Sequence, residues 1–130
     1  MAPPPSQTMM KATLQAYVDR INAGDAVGVT ALFAPDAVIE DPIGSEPRTG
    51  GAIAQWFADT VAYDTHITPL VPHRGSHGDE ALLVFDVEFT PPGNQRMRIR
   101  SADACRFDHE GRILSLRAFW GPDDLELLEA

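Results

Sequence analysis

The run Gln95-Arg96-Met97-Arg98-Ile99-Arg100-Ser101-Ala102-Asp103-Ala104-Cys105-Arg106-Phe107 decides how the chain is read, because its character alternates with a period of two. Arg96, Arg98, Arg100 and Arg106 fall on one parity, and Met97, Ile99, Cys105 and Phe107 on the other, as in a strand with one wet and one buried face. Asp103 keeps the apolar parity. A carboxylate there is costly to desolvate unless it pairs with a cation or takes up a proton. As a neutral acid it donates a hydrogen bond. An inward arginine partner, or a bulge that flips the local register, explains the same pattern equally well.

Period-two patterning extends outward from this strand. Further strands are predicted at His66 to His73, Glu80 to Thr90 and Arg112 to Trp120, with turns at Pro91-Pro92-Gly93-Asn94 and Asp108-His109-Glu110-Gly111. Upstream the period becomes helical. From about Met9, the residues Met10, Leu14, Tyr17, Val18 and Ile21 form one apolar stripe that stops at Gly24. Asp25 suits the cap of a second short helix that buries Val29, Leu32 and Phe33 and ends at Pro35-Asp36. Ile53, Trp56, Phe57 and Val61 make a third. Between these helices, Ala37 to Asp41 reads as a short strand, with Pro42 keeping Asp41 extended and a loop running from Ile43 to Gly51. Three helices followed by a strand meander predict an α+β domain whose curved antiparallel sheet wraps over the helices and can enclose a pocket.

Composition sets the bounds. A length of 130 residues predicts a single domain, 1–130, and 44% hydrophobic content is enough for a real core. Nineteen Asp+Glu against ten Lys+Arg give a net charge of −9, so the surface repels phosphate and a nucleic-acid partner is not expected. No apolar run reaches membrane-spanning length, and residues 1–8, which lack the basic and apolar regions of a secretory signal, read as a flexible Pro-rich lead-in. The acidic end, residues 122–130, reads either as a short capping turn or as a loose tail. The lone Cys105 excludes an internal disulfide and suits a cytoplasmic location.

Two other polar residues stand where apolar ones are expected. Tyr17 shares the stripe of the first helix, so its phenol points inward and needs a partner, whether a core carbonyl or a ligand. Asp41 follows Ala37 and Ile39 in parity, whereas Glu40 follows Val38; parity alone leaves open which acid faces inward, and Asp before Pro is also a common turn former. Weaker signals are His66, His73, His77 and His109, which lack metal-site spacing, and Cys105, a small core residue with no cationic activator. No G-x-S-x-G elbow, G-x-G-x-x-G turn or P-loop is present.

Three segments carry a family resemblance: Tyr17-Val18-Asp19-Arg20-Ile21-Asn22-Ala23-Gly24-Asp25, the run from Ala31 through Glu40-Asp41-Pro42-Ile43-Gly44 to Arg48, and Ala102-Asp103-Ala104-Cys105-Arg106-Phe107. Together they resemble the bacterial steroid Δ5-isomerases (ketosteroid isomerases), members of the cone-shaped NTF2-like, cystatin-like fold of the SnoaL-like superfamily. The likeness runs from about Lys11 to Gly121. It implies isomerisation of 3-oxo-Δ5-steroids to conjugated 3-oxo-Δ4-steroids, with Asp41 as general base and Tyr17 and protonated Asp103 as oxyanion-hole donors. A carboxylic acid kept neutral by its apolar site is a known device of these enzymes. The resemblance further implies that Phe57, Phe85, Phe89, Leu116, Ala118 and Trp120 line the steroid cleft, that no cofactor or metal is needed, and that the protein is a homodimer. Phe57 replaces a tyrosine that, in relatives, supports the oxyanion-hole tyrosine. The same cone hosts dehydratases, epoxide hydrolases, polyketide cyclases and non-catalytic ligand-binding modules.

Overall fold

In the computed structural model, which describes residues 3–129, helix α1 (Gln7–Asn22) buries Met10, Leu14, Tyr17, Val18 and Ile21 as their spacing requires. It begins inside the segment expected to be a flexible lead-in. Ser6 is its N-cap, with Oγ accepting from the Met9 N–H at 3.1 Å, and Pro5 is buried; Met1 and Ala2 lie outside the described residues. Gly24 takes φ +73° just past the helix end, the left-handed turn that stops α1.

Helix α2 (Ala26–Thr30), capped by Asp25, is shorter than its apolar pattern predicts. Phe33 and Pro35 belong instead to strand β1 (Phe33–Glu40). The Leu32 carbonyl accepts from the Ile113 N–H at 2.9 Å, so the chain joins the sheet directly after α2. Pro35 and Asp36 sit exposed where the β1 register shifts, a place where a missing N–H costs no ladder bond.

Strand β2 (Arg48–Thr49) lies within the expected loop and pairs antiparallel with β1; helix α3 (Gly51–Ala62) buries Ile53 and Phe57. Strand β3 (His66–Pro69) is half the predicted length, since Pro69 and Pro72 cannot donate to a ladder. Strands β4 (Glu80–Phe89), β5 (Met97–Phe107) and β6 (Ile113–Phe119) fall close to expectation. Of the two readings of the acidic end, the structure has the turn and adds a strand in place of a loose tail, and Ala130 lies outside the described residues. Pro122–Asp124 form a 3-10 turn and Leu125–Leu127 form strand β7, which pairs with β5 and is tied to it by an Arg98–Glu126 ion pair of 2.7 Å.

The sheet order is β2-β1-β6-β5-β4-β3, with β7 alongside β5. Every pairing is antiparallel except β1 with β6. The sheet is therefore mixed, and it curves over the helices without closing. β4 and β5 pair in unbroken register from Glu80↔Arg106 to Phe89↔Met97, so no bulge intervenes near Asp103. Ile99, Ser101, Asp103, Cys105 and Phe107 face the core. The arginines of the other parity meet acids on the outer face, Arg100 with Asp86 at 2.9 Å and Arg106 with Asp79 at 3.0 Å.

Candidate active site

The inner face of β4 and β5, roofed by α1 and α3, encloses an elongated, mainly apolar cavity of about 380 Å³, within the range of about 300–1,000 Å³ usual for small-ligand sites. Its long wall is built by parity. Asp103, Ser101, Ile99 and Met97 follow one another at two-residue steps of about 6.8 Å, with Phe85, Val87 and Phe89 beside the last three. Asp103 is at the deep end, and Met97, Phe89 and Leu125 of β7 are at the other.

Tyr17 descends from α1 to the same deep end. Its ring is clamped edge-on by Phe33 at 6.4 Å and Phe57 at 6.0 Å between centroids, and these two pack against each other at 5.3 Å with their planes tilted by 42°. This fixes the phenol while leaving its hydroxyl toward the cavity that Tyr17 lines. Burial pushes the phenol well above its usual range, and the nearby Asp103 and Asp41 carboxyls push the same way. Asp103 is only 1% exposed, makes no ion pair among the described residues, and has no hydrogen-bond partner at Oδ1. Both ordinary explanations of its inward parity, a cationic partner and a bulge, are thus absent. Desolvation first, and the Asp41 charge second, push its pKa well above the carboxylate range against an opposing pull from Ser101, which favours the neutral form that can donate a hydrogen bond.

Asp41 occupies the bend just after β1. The Trp120 indole N–H donates to its Oδ1 at 2.9 Å. Burial raises its pKa, while the Trp120 hydrogen bond and the Arg48 charge hold that rise back, which leaves a carboxylate more basic than in water yet able to ionise. The question of the adjacent acids is answered by Glu40, which turns outward to Arg117 at 3.5 Å and accepts from the Gly44 N–H at 3.0 Å.

Tyr17, Asp41, Asp103, Phe85, Phe89 and Trp120 therefore meet at one cavity. Phe57, Leu116 and Ala118 do not line it. Phe57 is fully buried behind Tyr17, and Leu116 and Ala118 lie in the β6 core, beside Cys105 and Asp103 in register. The sequence reading missed Trp56, assigned only to helix burial, and Ser101, whose buried hydroxyl makes no hydrogen bond of normal geometry yet lies close enough to Asp103 to act against the rise in its pKa. The parity that singled out Asp103 also marks Ser101. Asp59, Thr60 and Tyr63, spaced from Trp56 by three, four and seven residues, extend the α3 wall. Cys105 is buried, with desolvation raising its thiol pKa, so it is no nucleophile. Among the described residues no three His, Cys, Asp or Glu side chains group closely enough to hold a metal ion, and no helix is long and apolar enough to cross a membrane.

A curved, unclosed sheet folded over three helices around an apolar, acid-floored cavity defines the NTF2-like class. Within that class, the chain belongs to the SnoaL-like domain family, whose model matches residues 14–116. It is 35% identical over 121 residues to a steroid Delta-isomerase of Nocardioides simplex, covering 93% of this chain and 97% of that protein. It is also 34% identical over 124 residues to the epoxide hydrolase LasB of Streptomyces lasalocidi, covering 92% of this chain and 44% of LasB. A solved structure of SalBIII, described as an epoxide hydrolase/cyclase-like enzyme in pyran ring formation in the polyether salinomycin, superposes with a TM-score of 0.87 at 28% identity, covering 95% of this chain and 98% of that one.

Proposed function

We propose that the protein is a steroid Δ-isomerase that converts 3-oxo-Δ5-steroids to their conjugated 3-oxo-Δ4 isomers. The observation that carries this reading is Asp103: a fully buried acid with an unpartnered oxygen, sharing an apolar cavity with a buried phenol and an ionisable Asp41. Asp41 removes a proton from the carbon between the ketone and the double bond. The electron pair moves onto the carbonyl oxygen, where Tyr17 and Asp103 donate hydrogen bonds to the dienolate. Asp41 then returns the same proton to the far carbon of the former double bond, leaving the conjugated enone with atoms and charge balanced. Two neutral donors suit a dry site, because neither adds a cation that would need its own counter-charge. The same reading makes the protein a cofactor-free cytoplasmic homodimer, which sedimentation at low concentration would check.

Absorbance of the conjugated product tests the reading directly. Asp41→Asn is expected to lower turnover by about 10²–10⁴-fold while retaining steroid binding; wild-type rates in that variant would remove Asp41 from the role of base. A second reading is epoxide opening, favoured by the likeness to LasB and SalBIII. Asp103 would protonate the epoxide oxygen and Asp41 would activate water or a substrate hydroxyl. Epoxide consumption with no isomerisation would select it.

A further inference from the structure

Arg96, Arg98, Arg100, Arg106, Arg112 and Arg117 each hold a carboxylate at ion-pair distance. Arg48, like Arg20 and Arg74, holds none among the described residues, in a chain with almost two acids per base. Its guanidinium sits over a ring instead: Cζ is 3.9 Å from the centroid of Trp56, which lines the cavity. From there Nη1 donates a long hydrogen bond, 3.4 Å, to the main-chain carbonyl of Asp41. Strand register explains the meeting. Arg48 pairs with Ile39, partners across an antiparallel pair share a face, and Asp41 has the parity of Ile39.

We propose that Arg48, stacked on Trp56, is the positioning residue of the Asp41 carboxylate: it holds the bend that presents Asp41 to the cavity and sets a fixed positive charge beside it. The proposal rests on Asp41 being the base. Arginine fits this place where lysine would not, because a planar guanidinium can lie on an indole and still donate from its edge. The other groups facing Asp41 carry no positive charge. Trp120, just after β6, donates a neutral N–H; Tyr17 of α1 and Asp103 of β5 are acids that carry no positive charge in either protonation state; and Glu40 points away to Arg117. Of the described side chains, Arg48 is thus the one cation acting on Asp41, and it opposes the desolvation that disfavours the anion.

The chain has two tryptophans, so an amide spectrum shows two indole N–H signals, and that of Trp120 reports the Asp41 carboxylate to which it is bonded. We expect this signal to titrate in the wild type and to lose the titration in Asp41→Asn. In Arg48→Met, which keeps a flexible stem on the ring without the charge, the midpoint should move to higher pH, and Arg48→Lys should fall between. Arg48→Gln provides the same neutral comparison should the methionine variant not fold. In the isomerase assay, kcat/KM of the neutral variants should fall roughly 3–10-fold on the acid limb of the pH profile. A midpoint unchanged or lowered in both neutral variants overturns the proposal. The indole titration stands apart from the reaction: a shifted midpoint in a protein that isomerises nothing would overturn the functional reading and leave Arg48 its place beside Asp41.

Discussion

At the scale of the residue, the site depends on three acids being held at different proton affinities by their surroundings. Burial pushes the pKa values of Tyr17 and Asp103 well upward, while Trp120 and Arg48 hold back the rise at Asp41. Removing one donor should therefore cost more than an exposed hydrogen bond. Tyr17→Phe and Asp103→Leu are each expected to lower kcat by about 10²–10³-fold with little change in steroid affinity, measured by enone absorbance and by equilibrium binding. Trp120→Phe removes a bond made to the Asp41 anion, so Asp41 should hold its proton to higher pH and the acid limb of kcat/KM should shift upward. Periodicity made Asp103 and Tyr17 legible in the sequence because each breaks a local rule, a carboxylate among Ile99 and Cys105 and a phenol among Leu14 and Ile21, whereas it left Asp41 and Glu40 undecided. Leu116 and Ala118 obey every rule. Nothing in their own side chains tells a cavity wall from solid core, so only the packed structure separates them from Phe85 and Phe89.

At the scale of the element, the same logic explains which boundaries the sequence displays. β5 is legible because arginine and apolar residues alternate along it, and α1 because its stripe runs unbroken to Gly24, although its start at Ser6 falls in residues that read as a lead-in. β1 and β7 are different. Leu32, Phe33 and Val29 fit a helical spacing, and only the long-range bond from Ile113 to the Leu32 carbonyl turns Phe33 into a strand residue. Leu125-Glu126-Leu127 is too short to show a period, yet pairing with Met97, Arg98 and Ile99 fixes it. That pairing has a functional consequence, since it brings Leu125 into the cavity wall. Ending the chain after Asp124 should raise KM for an apolar substrate several-fold while sparing kcat, because Tyr17, Asp41 and Asp103 lie at the other end of the cavity. Steady-state kinetics on the shortened protein measure this. A loss of kcat at unchanged KM would count against a role for β7 at the mouth.

At the scale of the whole molecule, the buried and exposed acids pull stability in opposite directions with pH. Asp86 on the outer face is held below its usual range by its hydrogen bonds to Arg100, so its contribution is present above about pH 4 and is lost as pH falls through its lowered folded value. Asp103 has the reverse sign. Its folded pKa lies far above the unfolded one, so between the two the native state binds a proton that the unfolded chain has released. Stability must then fall as pH rises from about 4 toward the folded value, by about 1.4 kcal/mol per pH unit for that group, or roughly 5 °C in Tm per unit for a domain of this size. Asp41, whose pKa is also raised, adds to the same slope over a narrower window. The nominal charge of −9 counts Asp103 as an anion, a form that its burial disfavours. Thermal unfolding from pH 3 to 8 is expected to show a maximum in mild acid and a decline above it. Asp103→Asn, which cannot ionise, should flatten that decline, so the difference in Tm between variant and wild type grows steadily with pH above about 4. A constant difference across the range would mean that Asp103 ionises in the folded protein as readily as in water, and a charged Asp103 could not donate the hydrogen bond on which the proposed isomerisation depends.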